Sequence, residues 1–325
     1  MNITTTADDP EPGEPKNSER QLVKIVTEIC AEQGIALRKT FYDYILELER
    51  GCRRIFIFGH RFPNNRASVQ ELCDDKAALA EVLAAHGIPA VEHHLFMSPA
   101  NTFYIGADGN WVDLRRLLAK HGRLVIKPNV GWGGNSVFLA EDTRTLEKIV
   151  HNLFRTQRTI AVSPFVKIDN EYRLIVLNSV VKFGFVKQRA SVTGDGKKSI
   201  AQLIFELPDG GDTHEIADAA LKDKSRIPAA GEKVNLTFKH NLGKGARAAV
   251  VPDGKLLRDL SALAVRATDV IGMNFCSVDI AEIAGKLHIL EINSGVTMNH
   301  FAAQSPEYYA LAKAVYREAI EAALA

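Results

Sequence analysis

Residues 286–293 read KLHILEIN, and the run just before them, residues 275–285, reads FCSVDIAEIAG. Both alternate as strands do, yet one carries Glu291 and Asn293 two positions apart and the other a lone Asp279 at its centre. Side chains two apart share one face of a strand. Ala284, Gly285 and Lys286 join the runs as a short hairpin loop, with glycine free to take a left-handed position. A loop centred on Gly285 sets Asp279 opposite Glu291, Val278 opposite Ile292 and Ile280 opposite Leu290. One face of the hairpin is then apolar, and the other brings two carboxylates to about 4.5–5.5 Å between Cβ atoms.

Like charges so placed oppose pairing unless a cation lies between them. A hard divalent ion meets that need: magnesium takes one or two carboxylates, keeps several waters and completes its shell with phosphate oxygens. A solvated polar face with a fortuitous charge pair accounts for the same residues, and a one-residue slip in the loop would undo the pairing.

The chain has 325 residues, enough for a large core divided into two or three lobes. A net charge of +1 with 24% charged residues gives no overall field, so neither nucleic acid nor a membrane is implied as a partner. Cys30, Cys52, Cys73 and Cys276 form no C-x-x-C pair and have no histidine at zinc spacing, which reads as reduced core residues of a cytoplasmic protein. No apolar run reaches membrane-spanning length, and the polar, proline-bearing residues 1–17 read as a disordered tail rather than a signal sequence.

Residues 18–66 predict a reduced amino-terminal α/β lobe, with a helix over LVKIVTEICAEQ, a strand over residues 35–38, a second helix over YDYILELERG and a strand over RRIFIFG. Residues 67–160 predict a compact α+β lobe. Its first helix is capped at Asp74 and Asp75, has Lys76 in the first turn and stops at Gly87-Ile88-Pro89. The strand LVIKP, a glycine-rich loop and a helix with Leu146, Ile149, Val150 and Leu153 at helical spacing follow. Residues 161–325 open with the strands IAVSPFV, EYRLIVL and VVKFGFVKQR. A polar excursion comes next, with a helix around His214 to Asp223, then a long helix through Leu257 and Ile271, the carboxylate hairpin and a last helix bearing Leu311, Ala312 and Val315. The fold class is α+β, and no internal repeat is present.

In KPNVGWGGNSVF, Lys127 ends a strand, and Gly131, Gly133 and Gly134, running on to Ser136, leave backbone amides open to a phosphate. The spacing is neither a Walker loop nor a dinucleotide fingerprint, and a plain glycine-rich turn would look the same. Trp132 at the tip suits a flap that closes over something. In SPFVKIDNE, backbone groups at Phe165, Val166 and Lys167 could pair with a purine edge and Glu171 could accept from ribose hydroxyls, although a bare strand end reads alike. Lys187 and Arg189 share a strand face, and Asn241, Lys244 and Arg247 lie in the loop HNLGKGAR; taken singly, each cation is explained as solvated surface.

The order Lys76, Lys127-Pro128 before a glycine loop, a linker with Glu171, Asp279 and then Glu291-x-Asn293 resembles the ATP-grasp superfamily from about Arg66 to the carboxyl end. SVTGDGKKSIAQLI looks like a stretch of cyanophycin synthetases and of the ligase half of bifunctional glutathione synthetases. NLGKGAR has the spacing of a loop in bacterial glutathione synthetases. The resemblance implies two α+β lobes clamping ATP behind a reduced pre-ATP-grasp lobe. It implies Lys76, Lys127 and Lys187 as nucleotide ligands, Gly131, Gly133, Gly134 and Ser136 as a lid, Phe165, Val166 and Lys167 as adenine linker, and Glu171 on the ribose. Asp279, Glu291 and Asn293 become ligands of magnesium, with manganese as an alternative. Asn241 and Arg247 reach phosphate and the acyl intermediate, with Arg189 as a further catalytic cation.

Some relatives place an arginine two residues before the metal aspartate, where this chain has Ser277, so Arg247 or Arg189 is expected to act in its stead. The hinge carries Ser163-Pro164 where a glutamate is common. The implied activity is an ATP-dependent ligase joining a small-molecule carboxylate, an amino acid or peptide, to an amine through an acyl phosphate. A small-molecule kinase or a non-catalytic ATP-binding regulator on the same scaffold are the rivals. After Asn293, Ser294 or His300 could hold a substrate carboxylate, though a core-capping histidine reads alike. A homodimer is the common prior for oligomeric state.

Overall fold

The computed structural model describes residues 20–104, 110–131, 136–207, 223–236, 242 and 246–325. Helix α1 (Gln21–Gln33) turns Leu22, Ile25, Val26 and Ile29 inward and stops at Gly34, whose φ of 64° is left-handed. Strands β1 (Ala36–Thr40), β2 (Ile45–Arg50) and β3 (Arg53–Phe58) follow as an antiparallel sheet in that order. The helix expected over YDYILELERG is therefore corrected to a turn and a strand. Leu46 and Leu48 alternate with Glu47 and Glu49, a period of two, and Phe41, Tyr42 and Asp43 take φ of 53°, 56° and 59°, a left-handed turn no helix runs through.

Helices α2 (Ala67–Asp74) and α3 (Lys76–Ala85) precede β4 (His94–Met97), α4 (Asn110–His121), β5 (Leu124–Pro128), β6 (Phe138–Ala140), α5 (Thr143–Phe154) and β7 (Thr159–Pro164). Strands β4-β7-β5-β6, in that order, form a sheet. Leu114, Leu118, Leu146, Val150 and Leu153 of α4 and α5 cover it against Leu124, Ile126, Ile160 and Val162.

The larger part comprises β8 (Asn170–Leu177), β9 (Val180–Gln188), β10 (Ser191–Thr193), α6 (Ile200–Phe205), β11 (Lys233–Asn235), β12 (Arg247–Val250), α7 (Lys255–Ile271), β13 (Phe275–Ile283), β14 (Lys286–Asn293), α8 (Asn299–Ala302) and α9 (Pro306–Leu324). Five of these strands pair antiparallel in the order β12-β9-β8-β13-β14. The pair β10-β11 and α6 make a satellite around Val192, Ile200, Ile204 and Val234.

The five-stranded sheet is buried on both faces. Leu174, Val176, Val278, Ile280 and Ile292 pack under α7 and, through Cys73, Leu79 and Leu83, under α2 and α3. Ile175, Leu177, Phe183, Phe185 and Phe275 pack on the other face with α1, β2, β3 and α9. The amino-terminal unit thus shares its core with the last helix. The helix pair at 67–85 lies on the large sheet, while the small-lobe sheet runs from His94 to Pro164. Cys30, Cys73 and Cys276 are buried as expected, but Cys52 is exposed beside Gly51 at the β2–β3 turn; all are free. The expectations for residues 1–17, Trp132, Gly133, Gly134, residues 214–222, Asn241 and Lys244 lie outside the described residues.

Buried Asn65 ties the amino-terminal unit to the start of β13: its Oδ1 accepts from the amides of Asn274 and Phe275 at 2.9 and 2.8 Å, and its Nδ2 donates to the Phe275 carbonyl at 2.6 Å. Asn65→Ala strips these backbone groups of their partners and is expected to destabilise the protein by about 2–3 kcal/mol. Urea unfolding at constant slope measures it; an unmoved midpoint would show that the staple carries no stability.

Candidate functional site

The β13–β14 hairpin turns through Ala284 (φ 49°) and Gly285 (φ 76°), the two left-handed positions of a tight primed turn. The loop is one residue shorter than the three-residue loop expected, with Ile283 paired to Lys286. Carried along the strands, that register would set Asp279 against Leu290. A bulge between Asp279 and Ile280 restores it, so Asp279 faces Glu291 as expected while Ile280 faces Ile289 instead of Leu290. One extra residue in β14 thereby returns both carboxylates to one face.

That face carries a buried charge cluster. Asp279, 4% exposed, accepts from Arg173 Nε on Oδ1 and from Arg173 Nη2 on Oδ2, both at 2.7 Å. Lys187 Nζ reaches Asp279 Oδ2 at 2.8 Å and Glu171 Oε1 at 2.5 Å. Burial alone would raise the Asp279 pKa, but Arg173 and Lys187 together hold it down to about 2. Burial likewise works against the Arg173 charge, and Asp279 more than offsets it, so the guanidinium stays ionised. Register explains the convergence: Arg173 pairs with Asp279 across β8 and β13, and Lys187 lies two residues beyond Phe185, the partner of Arg173 on β9.

Two lysines lie beside this face, one from each sheet's surroundings: Lys127 from β5 and Lys76 from α3. Lys127 ends β5, where burial pulls its ammonium down to about 8 against the pull of Glu291 and Glu171. Lys76 Nζ donates to the Gly131 carbonyl at 2.7 Å and lies 3.4 Å from that of Asn129, which fastens α3 to the glycine loop. Beyond α3, the Ile289 amide donates to the Pro89 carbonyl and the Val91 amide to that of Ile289, each at 2.8 Å, which pins this segment along the edge of β14. It brings His93 to the same cavity as Lys76 and Glu291. The ring contacts the Val91 carbonyl through Nδ1 at 2.9 Å, and burial followed by the Lys127 charge pushes its pKa to about 3, so it stays neutral.

The donor set fits a hard cation. A carboxylate offers about four lone-pair sites; Arg173 uses one on each Asp279 oxygen and Lys187 a second on Oδ2, which leaves one on Oδ1. Glu291 is half-buried across the strand; Asn293 Nδ2, buried without a partner among the described residues, is an N–H donor that suits a phosphate oxygen, and only the amide oxygen of Asn293 could serve a cation. No cluster of three carboxylate, imidazole or thiol ligands occurs among the described residues, so an ion here would complete its shell with phosphate and water.

The other expected residues fall as follows. Phe165, Val166 and Lys167 lie between β7 and β8, where the two sheets meet, and the Arg123 guanidinium covers the Phe165 ring at 4.0 Å. Ser136 is exposed, with φ of 56°, at the far end of the glycine loop. Arg189 reaches the Ile168 carbonyl at 3.4 Å. Arg247 does not join them: it is exposed at the first position of β12 opposite Gln188, and alternation puts it on the face away from Lys187, which pairs with Ala248. The residue missed was Arg173. Its signal was present, two positions after Glu171 on one strand face, but only the β8–β13 pairing reveals that it meets Asp279.

No protein-family model matches the chain. Among curated proteins it is similar to the glutathione biosynthesis bifunctional protein GshAB of Listeria welshimeri, 26% identical over 183 residues, which is 50% of this chain and 23% of that protein. It is also similar to the cyanophycin synthetase of Trichormus variabilis, 26% identical over 232 residues, covering 65% and 24%. The chain thus spans about a quarter of the length of these curated relatives. The solved bifunctional glutathione synthetase of Pasteurella multocida superposes with a TM-score of 0.53 at 17% identity, over 91% of this chain and 44% of that one. The chain has the ATP-grasp fold. The charge cluster lies at the end of the large five-stranded sheet, with Lys127 of the four-stranded sheet and Glu291 close enough to feel each other's charge.

Lys127 supplies a pH test. Below about pH 8 its ammonium is present in the free protein; above it the charge is lost and phosphates must draw a proton back from solution. Affinity for a non-hydrolysable ATP analogue is therefore expected to fall as the pH rises from roughly 7 to 9. Lys127→Ala should weaken binding at neutral pH about tenfold or more and flatten that dependence. Calorimetry at several pH values decides, and unchanged affinity removes Lys127 from the site.

Proposed function

We propose that this chain is an ATP- and magnesium-dependent ligase that joins a carboxylate to an amine through an acyl phosphate. The observation that carries this reading is the convergence of Lys76, Lys127 and the Arg173–Lys187–Asp279 cluster on Glu291 and Asn293, with no protein nucleophile needed among them. Phosphoryl transfer asks a protein mainly for position and charge. An oxygen of the acid attacks the γ-phosphorus as the bond to ADP breaks; the amine nitrogen then attacks the acyl carbon, the bond to phosphate breaks with its electron pair, and the amine gives up a proton.

In this reading Lys76 and Lys127 bear on the phosphates, Glu171 accepts from the ribose, and the backbone of Phe165 to Lys167 meets the adenine edge. Asp279, Glu291 and Asn293 would hold magnesium, or manganese with the same oxygen donors. The metal, when bound, neutralises phosphate oxygens. Arg173 takes the place of the arginine absent at Ser277: it lies on the next strand, faces Asp279 and is fixed by two hydrogen bonds, so its charge needs no reorganisation. Arg189 remains a cation beside the linker, and the glycine loop with Ser136 serves as the lid that excludes water from the acyl phosphate.

Hydroxylamine supplied with the acid, ATP and magnesium is expected to trap a hydroxamate. Arg173→Lys should lower hydroxamate yield about 100-fold while changing analogue affinity far less. Glu291→Gln should abolish turnover with the fold intact, and Arg247→Ala should have little effect. A stable phosphate ester in place of the hydroxamate would favour a kinase, and nucleotide binding without phosphate release a regulator.

A further inference from the structure

The cavity that His93 shares with Lys76 and Glu291 has a volume of about 10 Å³. That is room for a single water molecule and for nothing larger. Its other lining side chains come from α3, the segment after it and β14, and all are apolar. The His93 ring is buried there with its two nitrogens in unlike states. Nδ1 stands 2.9 Å from the Val91 carbonyl, which can only accept, so the ring proton is on Nδ1. Burial and the Lys127 charge keep the ring neutral, and Nε2 is left with a bare lone pair. That nitrogen is buried and has no hydrogen-bond partner among the described residues. A buried acceptor in this state calls for a donor.

The wall offers few donors. The amides of Val91 and Ile289 are spent on the Ile289 and Pro89 carbonyls, and a carboxylate at Glu291 accepts only. Among the described side chains that line the cavity, Lys76 is the one besides His93 that carries N–H groups. Its ammonium has three donors; the Gly131 carbonyl takes one at 2.7 Å, and the Asn129 carbonyl at 3.4 Å lies near a second. A water in the cavity completes the accounting, accepting from Lys76 and donating to His93 Nε2 and Glu291. Buried waters make about three hydrogen bonds of this kind.

We propose that His93 is a positioning residue of the nucleotide site, whose Nε2 anchors one buried water that ties the Lys76 ammonium to the Glu291 carboxylate. The inference rests on the reading of Lys76 as a phosphate ligand and Glu291 as a metal ligand, and it adds a residue that touches neither phosphate nor metal. Lys76 opens α3 and Glu291 lies on β14, while His93 sits just before β4 on the segment that backbone hydrogen bonds fix to β14. A direct ion pair would spend the two charges on each other. With a water between them, the ammonium and the carboxylate keep a set separation and both stay available to the incoming ligand.

Two measurements on the free protein test the water itself. A crystal structure fine enough to show ordered solvent should place one water about 2.7–3.2 Å from His93 Nε2, Lys76 Nζ and a Glu291 oxygen. Nitrogen-15 NMR of the histidine rings should find the His93 proton on Nδ1 at neutral pH. Paired variants test what the water does: His93→Leu removes the acceptor, and His93→Gln keeps one near the place of Nε2. Calorimetry with magnesium and a non-hydrolysable ATP analogue should find His93→Leu about tenfold weaker than wild type and His93→Gln restored most of the way. Added to Lys76→Met, His93→Leu should cost much less than it does alone, because both act through one water. A packing role would instead lower the thermal midpoint of the free protein and spare the affinity. No water at this place, a proton on Nε2, full affinity in His93→Leu, or a loss that His93→Gln does not recover overturns the proposal. Were His93→Leu not to fold, the crystal and the ring spectrum of the wild type decide alone. The ligase reading fails separately: the bridging water and the affinity loss without any hydroxamate sink the ligase and leave His93 standing, and hydroxamate formation with full affinity in His93→Leu does the reverse.

Discussion

The site is organised by the carboxylate of Asp279, which is buried together with two cations. Removing an aspartate from water is costly, and attraction to a neighbour repays that cost only with good geometry and satisfied lone pairs. Here a two-pronged contact to Arg173 and a single contact to Lys187 provide both. The cluster joins β8, β9 and β13 at their polar end, and Glu171 enters it through the same Lys187 ammonium. Breaking any one member would leave an uncompensated buried charge, so these three strands are held in register by the same groups that make up the charged face.

The division of the large sheet follows from that cluster. Its residues alternate with Tyr172, Leu174, Val278 and Ile280, which α7 covers. Along the same face as Asp279, Ile175, Leu177, Phe183 and Phe185 lie toward the other end, under α1 and α9. One end of the face is thus a packed core, and the other is open to the small lobe. The amino-terminal unit closes the packed end and, through β3 and the Arg61 turn, also reaches the rim of the open end. A reduced lobe can serve there because it borrows its core from α9 and the large sheet.

Much of this was legible in the sequence where local chemistry dominates. The hairpin could be read from alternation and Gly285, and the Asp279–Glu291 pairing was right although the loop and the bulge were not: two departures of one residue each cancelled. Local signals also placed α5 and α7. YDYILELERG misled because a short run of Leu and Glu suits a helix by propensity, and only the left-handed turn at residues 41–43 and the pairing with β1 and β3 fix it as a strand. That Arg173 joins the buried cluster while Arg247 lies exposed on the other face went unread for a related reason. Which face of a sheet a cation joins depends on strand order and phase, and β12-β9-β8-β13-β14 is a long-range fact that no spacing along the chain records.

The charge balance on the open end constrains how the site can be filled. Glu171, Asp279 and Glu291 face Arg173, Lys187, Lys127 and Lys76, so the free site is close to neutral, with Lys127 able to release its proton near pH 8. A divalent ion arriving alone meets two cations already on Asp279 and a single remaining lone pair there. A polyphosphate arriving alone meets Glu291 and Glu171 as well as the cations. Either one by itself unbalances a poorly solvated face, where charge is expensive. Metal and polyphosphate together compensate each other, and the phosphates favour the charged form of Lys127 as they enter. If the proposed ligase reading holds, the arrangement favours a metal–polyphosphate complex over either component alone as the entering species, through groups that the fold already fixes in place.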